Sequence, residues 1–270
     1  MRVFWLNLAL LLITACKPHS STDGIEKEVK SDDAVLVMSV PETQTQYFDQ
    51  MDVSFNDFIY KFMQDSLFQK ERIIFPLHYA IDGSLRHVTS SQWSYDEMYI
   101  NQDLYTLIYD SEKSMSTKSD SGLYKVVVDN VYLQSQRIKQ YAFVKREGRW
   151  FLKNIDDHDL KNDVNHDFYA FYRLFTANPD YEWEHIKDPF YFCTYDAEND
   201  QFIEGVLDRE QWPDYRPELP QDTLININYS QHYEQTSERL VLICSPSGGM
   251  GYMVTFVRHG HKWLFSKLDN

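Results

Sequence analysis

The sequence predicts an α+β fold made by tandem duplication of one unit, a helix laid against a curved antiparallel sheet. Three observations predict it. First, the chain matches itself at an offset of 113 residues: Phe55-Asn56-Asp57-Phe58-Ile59-Tyr60-Lys61-Phe62 aligns with Phe168-Tyr169-Ala170-Phe171-Tyr172-Arg173-Leu174-Phe175. Holding that offset pairs Phe68 with Tyr181, Glu71 with Glu184, Ile73 with Ile186 and Pro76 with Pro189, for 6 identities in 22 ungapped positions. Second, the offset returns near the end of each copy, where Phe143-Val144-Lys145 meets Phe256-Val257-Arg258 and Arg149-Trp150 meets Lys262-Trp263. Third, each copy opens on helical periodicity and closes on β-rich runs, the order of an α+β layer fold. A period this long fits two tandem units and not a solenoid.

The elements follow in order. Phe55, Phe58, Ile59 and Phe62 fall at i, i+3, i+4 and i+7, one face of a helix, and Phe168, Phe171, Tyr172 and Phe175 repeat the spacing. Ser54 with Asp57 three residues on reads as a helix start. A short second helix follows in each copy. Ser66 with Gln69 has the spacing of a capping box, and Asn178 before Pro179 sets a capping residue ahead of proline at the first helical position. Pro76 and Pro189 then lead short extended segments. The strands expected in the first copy are 104–109, 123–133, 138–146 and 150–155; those in the second are 224–229, 239–245, 251–258 and 262–268. Gln92-Trp93 and Gln211-Trp212 pair at 119, so the second copy carries six extra residues there, which a shorter loop then takes back. Boundaries follow at 51–157 for the first repeat and 158–270 for the second.

The helix Phe-x-x-Phe-x-x-x-Phe, the following Ile-x-x-Pro and the closing Phe-x-[Lys/Arg]-x-x-x-[Lys/Arg]-Trp hairpin resemble the domain of unknown function 4348 family, over residues 50–270. Its members look like bacterial lipoproteins. Each unit also resembles the nuclear-transport-factor-2-like (and cystatin-like) cone, in which a helix packs into a strongly curved sheet. The resemblance implies no activity and transfers no catalytic residue.

Residues 1–15 read as a lipoprotein signal peptide. Arg2 supplies the basic region, and the apolar run from Val3 to Ala15 is shorter than the roughly 20 residues a membrane-spanning helix needs. Ile13-Thr14-Ala15-Cys16 resembles a lipobox. That resemblance implies cleavage after Ala15 and lipidation of Cys16 through its thiol and amine. Several acyl chains anchor stably where one would not. Lys17, in place of the aspartate that retains lipoprotein on the inner membrane of enteric bacteria, points to the outer membrane, facing the periplasm. Residues 16–50 read as a polar tether, interrupted by Ala34-Val35-Leu36-Val37-Met38, a candidate edge strand.

Composition narrows the function classes. A mean hydropathy of −0.51 excludes a polytopic membrane protein. A formal charge of −15 excludes a nucleic-acid binder, which needs Lys and Arg to replace counterions on phosphate. With Cys16 assigned to lipid, Cys193 and Cys244 are read as two buried thiols, a disulfide being the alternative in an oxidising compartment. His259-Gly260-His261 reads as an exposed turn. Asp156-Asp157-His158-Asp159, with Asp163, His166 and Asp167, reads as a solvated linker capping the second long helix, with cation binding as the sharper alternative. Asp196 to Asp200 alternates like a calcium loop but has Gln201 and Leu207 where that loop needs Gly and Glu, so it is rejected. Ser245 to Gly251 is Gly-rich but precedes a strand, which makes it a hairpin loop and not a phosphate cradle. The sequence contains no nucleophile elbow, His-Glu-x-x-His or Cys-x-x-Cys, so no catalytic residue, metal or cofactor is expected from it. Aromatics make up 16% of the chain, mostly to fill two cores, with a share left for a partner or ligand.

The functional expectation is a lipid-anchored envelope protein that binds a protein or small-molecule partner without catalysis. Two alternatives stand beside it. One is an enzyme with a pocket inside a cone, built on a buried titratable group. The other is a structural spacer. Two or more polar side chains converging inside a cone would separate them, and an entirely apolar, filled interior would count against both an enzyme and small-ligand binding.

Overall fold

The computed structural model describes residues 52–116, 122–234, 237–245 and 251–270. Cys16, the signal peptide, the tether with its 34–38 patch and most of the 245–251 loop lie outside the described residues.

The first helix, α1 (Phe55–Gln64), starts where Ser54 accepts hydrogen bonds from the amides of Asn56 and Asp57. It buries Phe55, Phe58, Ile59, Phe62 and Met63, the face its periodicity predicts. The next helix, α2 (Ser66–Glu71), is capped by Asp65 and not by Ser66 as expected. Asp65 accepts from two backbone amides and also pairs with Lys61, interactions a serine hydroxyl would not match in charge. Two strands follow, β1 (Ile73–Ile81) and β2 (Ser84–Val88), then β3 (Tyr105–Tyr109), the short helix α3 (Glu112–Ser116), β4 (Lys125–Tyr132), β5 (Arg137–Arg146) and β6 (Arg149–Asp159). The second half has the same two helices and six strands but sets its short helix before the third strand: α4 (His166–Ala177), α5 (Pro179–Glu184) with Asn178 as its cap, β7 (Ile186–Asp196), β8 (Gln201–Leu207), the short α6 (Trp212–Tyr215), β9 (Thr223–Asn228), β10 (Glu238–Cys244), β11 (Tyr252–His259) and β12 (Lys262–Asp269). The peptide bonds before Pro76 and Pro189 are both cis.

Three expectations change. The segments after Pro76 and Pro189 are full strands that fold back as hairpins with β2 and β8, which their turn residues Asp82-Gly83 and Glu198 to Asp200 allow. Asp156 to Asp159 is the end of β6 and not a linker, because those residues pair with β5 through Arg137 to Gln140. The cap of α4 is Asn165, which makes no side-chain capping bond; Asp163 accepts from the Asn165 amide and Asp167 from that of Phe168.

The twelve strands of the described residues form one mixed sheet in the order β2-β1-β6-β5-β4-β9-β3-β10-β11-β12-β7-β8. Each half therefore lends its third strand to the other. β9 pairs antiparallel with β4, β3 pairs antiparallel with β10, and the two lent strands meet in parallel at Thr106 and Asn226. Asn226 Oδ1 accepts the Ile108 amide and Thr106 donates its hydroxyl to the Ile225 carbonyl, closing backbone groups that the short parallel contact leaves open.

Two cores result. Leu107 and Tyr109 of β3, with Ile225 and Ile227 of β9, join the core around α1; Ile108, between the first two, and Leu224, next to Ile225, join the core around α4. Successive side chains of a strand point to opposite faces, so the two cores lie on opposite faces of the central strands. Both cores repeat one aromatic arrangement. Phe143 meets Phe62 at 5.4 Å and 87°, and Phe256 meets Phe175 at 5.3 Å and 87°. Phe55 meets Trp150 at 5.1 Å and Phe168 meets Trp263 at 5.4 Å, both edge-on, geometry that favours the ring quadrupoles. Lys145 lies over Trp150 as Arg258 lies over Trp263. No helix of the described residues is long and apolar enough to cross a membrane.

Candidate functional site

Both cores are filled by side chains. Polar groups do converge beside the first one: Asp96 Oδ2 receives Lys139 Nζ and the Tyr141 hydroxyl, each at 2.8 Å. Burial works against the Asp96 anion, but the Lys139 charge and these hydrogen bonds outweigh it and hold its pKa below the usual carboxylate range. Burial together with the Asp96 charge pushes the Tyr141 hydroxyl upward. The three groups satisfy one another, so the knot is closed.

The open polar site lies on the other face of the same strands. A cleft of about 640 Å³ is floored by β6, β5, β4 and the lent β9. Strand register arranges that floor in rows. Asp156, Gln140, Asp129 and Asn226 stand side by side across the four strands. The next row is Asn154, Ala142, Val127 and Asn228. In the first row Gln140 donates to Asp129 Oδ1 at 2.9 Å and Asn226 to Oδ2 at 3.0 Å. Asp163 and Asn165, before α4, and Gln231 and Tyr233, after β9, complete the walls. Asn165 is fixed by the Arg239 guanidinium at 2.9 Å.

Asp129 is 5% exposed. Burial pushes its pKa up to about 6, against the two amide hydrogen bonds that favour the anion, and the neighbouring Asp163 charge adds to the rise. Burial also raises Asp163. The amide oxygen Oε1 of Gln231 is sealed from solvent and has no partner among the described groups. The cleft therefore offers donors, acceptors and a small apolar centre within one walled space.

The other sequence candidates fall elsewhere. His259 and His261 are exposed in the β11–β12 turn as expected, and border a shallower groove with His185 and Trp263. Among the described residues no three His, Cys, Asp or Glu are placed to hold a metal ion. Of the acidic stretch, Asp156 and Asp163 reach the cleft while Asp159 caps a 3-10 turn. Cys193 and Cys244 form no disulfide and are half-buried, less enclosed than expected, since each lies near a strand end. Most aromatics fill the cores, but Tyr191, Tyr195 and Phe202 are exposed on the β7–β8 hairpin. Sequence reasoning missed Asp129, Gln140, Asn154 and Asn226. The available signal was a carboxylate set inside the β-branched run Val126-Val127-Val128-Asp129-Asn130-Val131, and alternating Asn in Leu224 to Asn228.

Comparison with known proteins supports this architecture. The chain is similar to a crystal structure of an NTF2-like protein from Bacteroides fragilis, with 30% sequence identity and a TM-score of 0.75, over 82% of this chain and 96% of that one. No curated protein matches the chain. The fold is thus NTF2-like, an α+β arrangement of helices on a large mixed sheet. The profile for a domain of unknown function, number 4348, matches residues 32–270, and the chain belongs to that family.

Proposed function

We propose that the protein is a non-enzymatic binding module of the cell envelope, and that its ligand occupies the cleft over Asp129 and Ala142. The observation that carries this reading is the contrast between filled cores and a walled, mixed-polarity cleft of about 640 Å³, within the range of roughly 300–1,000 Å³ common to small-molecule sites. Both Asp129 oxygens already accept amide protons, an arrangement that positions a carboxylate for binding. A catalytic reading has one observation in its favour, the rise of Asp129 to about 6, which suits a general acid or base.

The protein is read as a tandem duplication over 51–157 and 158–270 with exchanged third strands. The repeated ring geometry and the repeated cation–tryptophan pairs support this. The envelope address rests on the Ile13-Thr14-Ala15-Cys16 sequence: lipid on Cys16 holds the protein to the outer membrane, facing the periplasm. A formal charge of −15 would repel anionic head groups, which leaves the acyl chains as the anchor.

Native mass spectrometry of the protein released from its own envelope tests the binding reading. The expected result is a bound small molecule that Ala142→Lys, which drives a long side chain into the cleft, removes. A co-purifying molecule retained by that variant would move the site elsewhere.

A further inference from the structure

Resting on the cleft reading, we propose that the ligand is a neutral saccharide, bound with a ring face on Val127 and Ala142 and its hydroxyls on the flanking amide and carboxylate side chains. Four features of the cleft lead there.

The first is the kind of polar group. The floor and walls present Gln140, Asn154, Asn228 and Gln231 together with Asp129 and Asp163. A planar amide carries a donor and an acceptor on one rigid edge, and a carboxylate carries paired acceptors. Neighbouring hydroxyls on a sugar ring, each both donor and acceptor, match such edges.

The second is the layout. Register sets Val127 beside Ala142 in mid-row, with Asn228 on one side and Asn154 on the other. A small apolar patch between two amides fits a ring whose face carries C–H groups and whose rim carries hydroxyls. Tyr124 stands at the margin, 72% exposed, and supplies an aromatic surface of the amphipathic kind used at binding sites.

The third is charge. Lys125 and Lys153 border the cleft along with Asp129, Asp156 and Asp163. An anion would meet the three carboxylates and a cation the two ammonium groups. A wholly apolar ligand would cover polar side chains such as Asn154 without replacing their water. A neutral ligand rich in hydroxyls avoids all three penalties.

The fourth is the comparison of the two halves. At the offset of 113, Asp129 corresponds to Leu242, Gln140 to Met253 and Val127 to Leu240. These three side chains pack into or against the core around α1. One half thus covers this face with apolar packing, while the other leaves it polar and open.

The test is titration of the folded protein, residues 16–270, with glucose, galactose, N-acetylglucosamine, lactose, cellobiose and chitobiose. Glycylglycine, spermidine and inorganic phosphate represent the rival chemistries. Saturation-transfer NMR and calorimetry read binding to wild type, Ala142→Lys and Asn154→Ala. Thermal unfolding confirms that each variant folds, and Asn154→Ala removes an edge amide without adding bulk. The expected result is saturable binding of at least one saccharide, weakened about tenfold or more by Asn154→Ala and lost in Ala142→Lys. A panel in which no saccharide saturates overturns the proposal. So does preferential binding of the dipeptide, polyamine or phosphate that Ala142→Lys abolishes, although that result keeps the cleft as the site. Saccharide binding that neither variant weakens overturns the cleft reading itself.

Discussion

The indole N–H of Trp93 donates to Gln69 Oε1 at 3.2 Å, and the same bond recurs in the second half, where Trp212 donates to Glu182 Oε1 at 3.1 Å. Gln69 and Glu182 stand 113 residues apart on matching short helices, and Trp93 and Trp212 stand 119 apart, so the bond spans the six-residue insertion. The two acceptors have diverged around that shared bond. Glu182 adds the Arg216 guanidinium at 2.7 Å. Gln69, fully buried, adds the Asp96 amide on its oxygen and the carbonyls of Phe62 and Asp96 on its nitrogen.

Gln69 therefore fills all four of its hydrogen-bonding sites, and Gln69→Leu would orphan groups on α1, on the 92–98 loop and on Trp93. Unpaired buried groups cost about 1–3 kcal/mol each. The expected loss, with some relaxation, is roughly 3–5 kcal/mol by urea denaturation. Glu182→Gln keeps an amide oxygen for Trp212 and weakens only the Arg216 contact, so it should cost about 1–2 kcal/mol. Equal losses from the two changes would show that the hydrogen-bond count does not set these energies.

Arg72 and Asp52 form a buried bidentate pair at 2.8 and 3.1 Å, and Asp52 also accepts the Trp150 amide at 2.8 Å. At the matching positions of the second half stand His185 and Asn165. Arg72→Met strands a carboxylate and should destabilise by about 3–5 kcal/mol. Adding Asp52→Asn removes the stranded charge while keeping an acceptor for Trp150, and should recover at least half of that loss in a double-mutant cycle. Additive losses in the cycle would argue against the pair acting as a unit.

Asp129 predicts a pH dependence of definite sign. Its pKa rises on folding, from 3.8 to about 6, so the stability it contributes is full below about pH 4 and is lost as pH rises through about 6. The groups facing it are Asp163, which shifts the same way, and Gln140, Asn226 and His158, which favour the anion. A shift of this size corresponds to roughly 3 kcal/mol. In Asp129→Asn the dependence disappears, so the stability of the variant relative to wild type should improve by about that amount between pH 4 and pH 7.5. A difference that stays flat across this range would show that Asp129 titrates as an exposed carboxylate.

Cys16→Ser should abolish metabolic labelling with a fatty acid and release the protein from the membrane fraction. Labelling that persists would place the anchor on another residue, and wild-type protein that takes up no label would show that it is not lipidated.

Much of the fold was legible in the sequence because the deciding forces were local. Phe55, Phe58 and Phe62 declare a helix at their own spacing, and each closing hairpin carries its own turn. The self-match at 113 residues located both helices and both tryptophans before any contact was known. The capping of α2 was misassigned because Ser66 and Asp65 are both good caps and only charge with Lys61 separates them.

Tertiary structure decided what depends on partners distant in sequence. Tyr105–Tyr109 is mostly apolar, and Thr223–Asn228 alternates Ile225 and Ile227 with Asn226 and Asn228, so local pattern says only that both are strands; which neighbour each pairs with is settled by contacts distant in sequence. The exchange of those strands brings Asn226 beside Asp129, 97 residues away, and so creates the polar row. The sequence alone carried the self-match at 113 residues, the helical spacing of both aromatic runs and the closing hairpins, since each is written in the order of residues along the chain. The shared sheet, its two cores and the cleft were decided only on folding, because strand pairing and burial join residues that no local spacing connects.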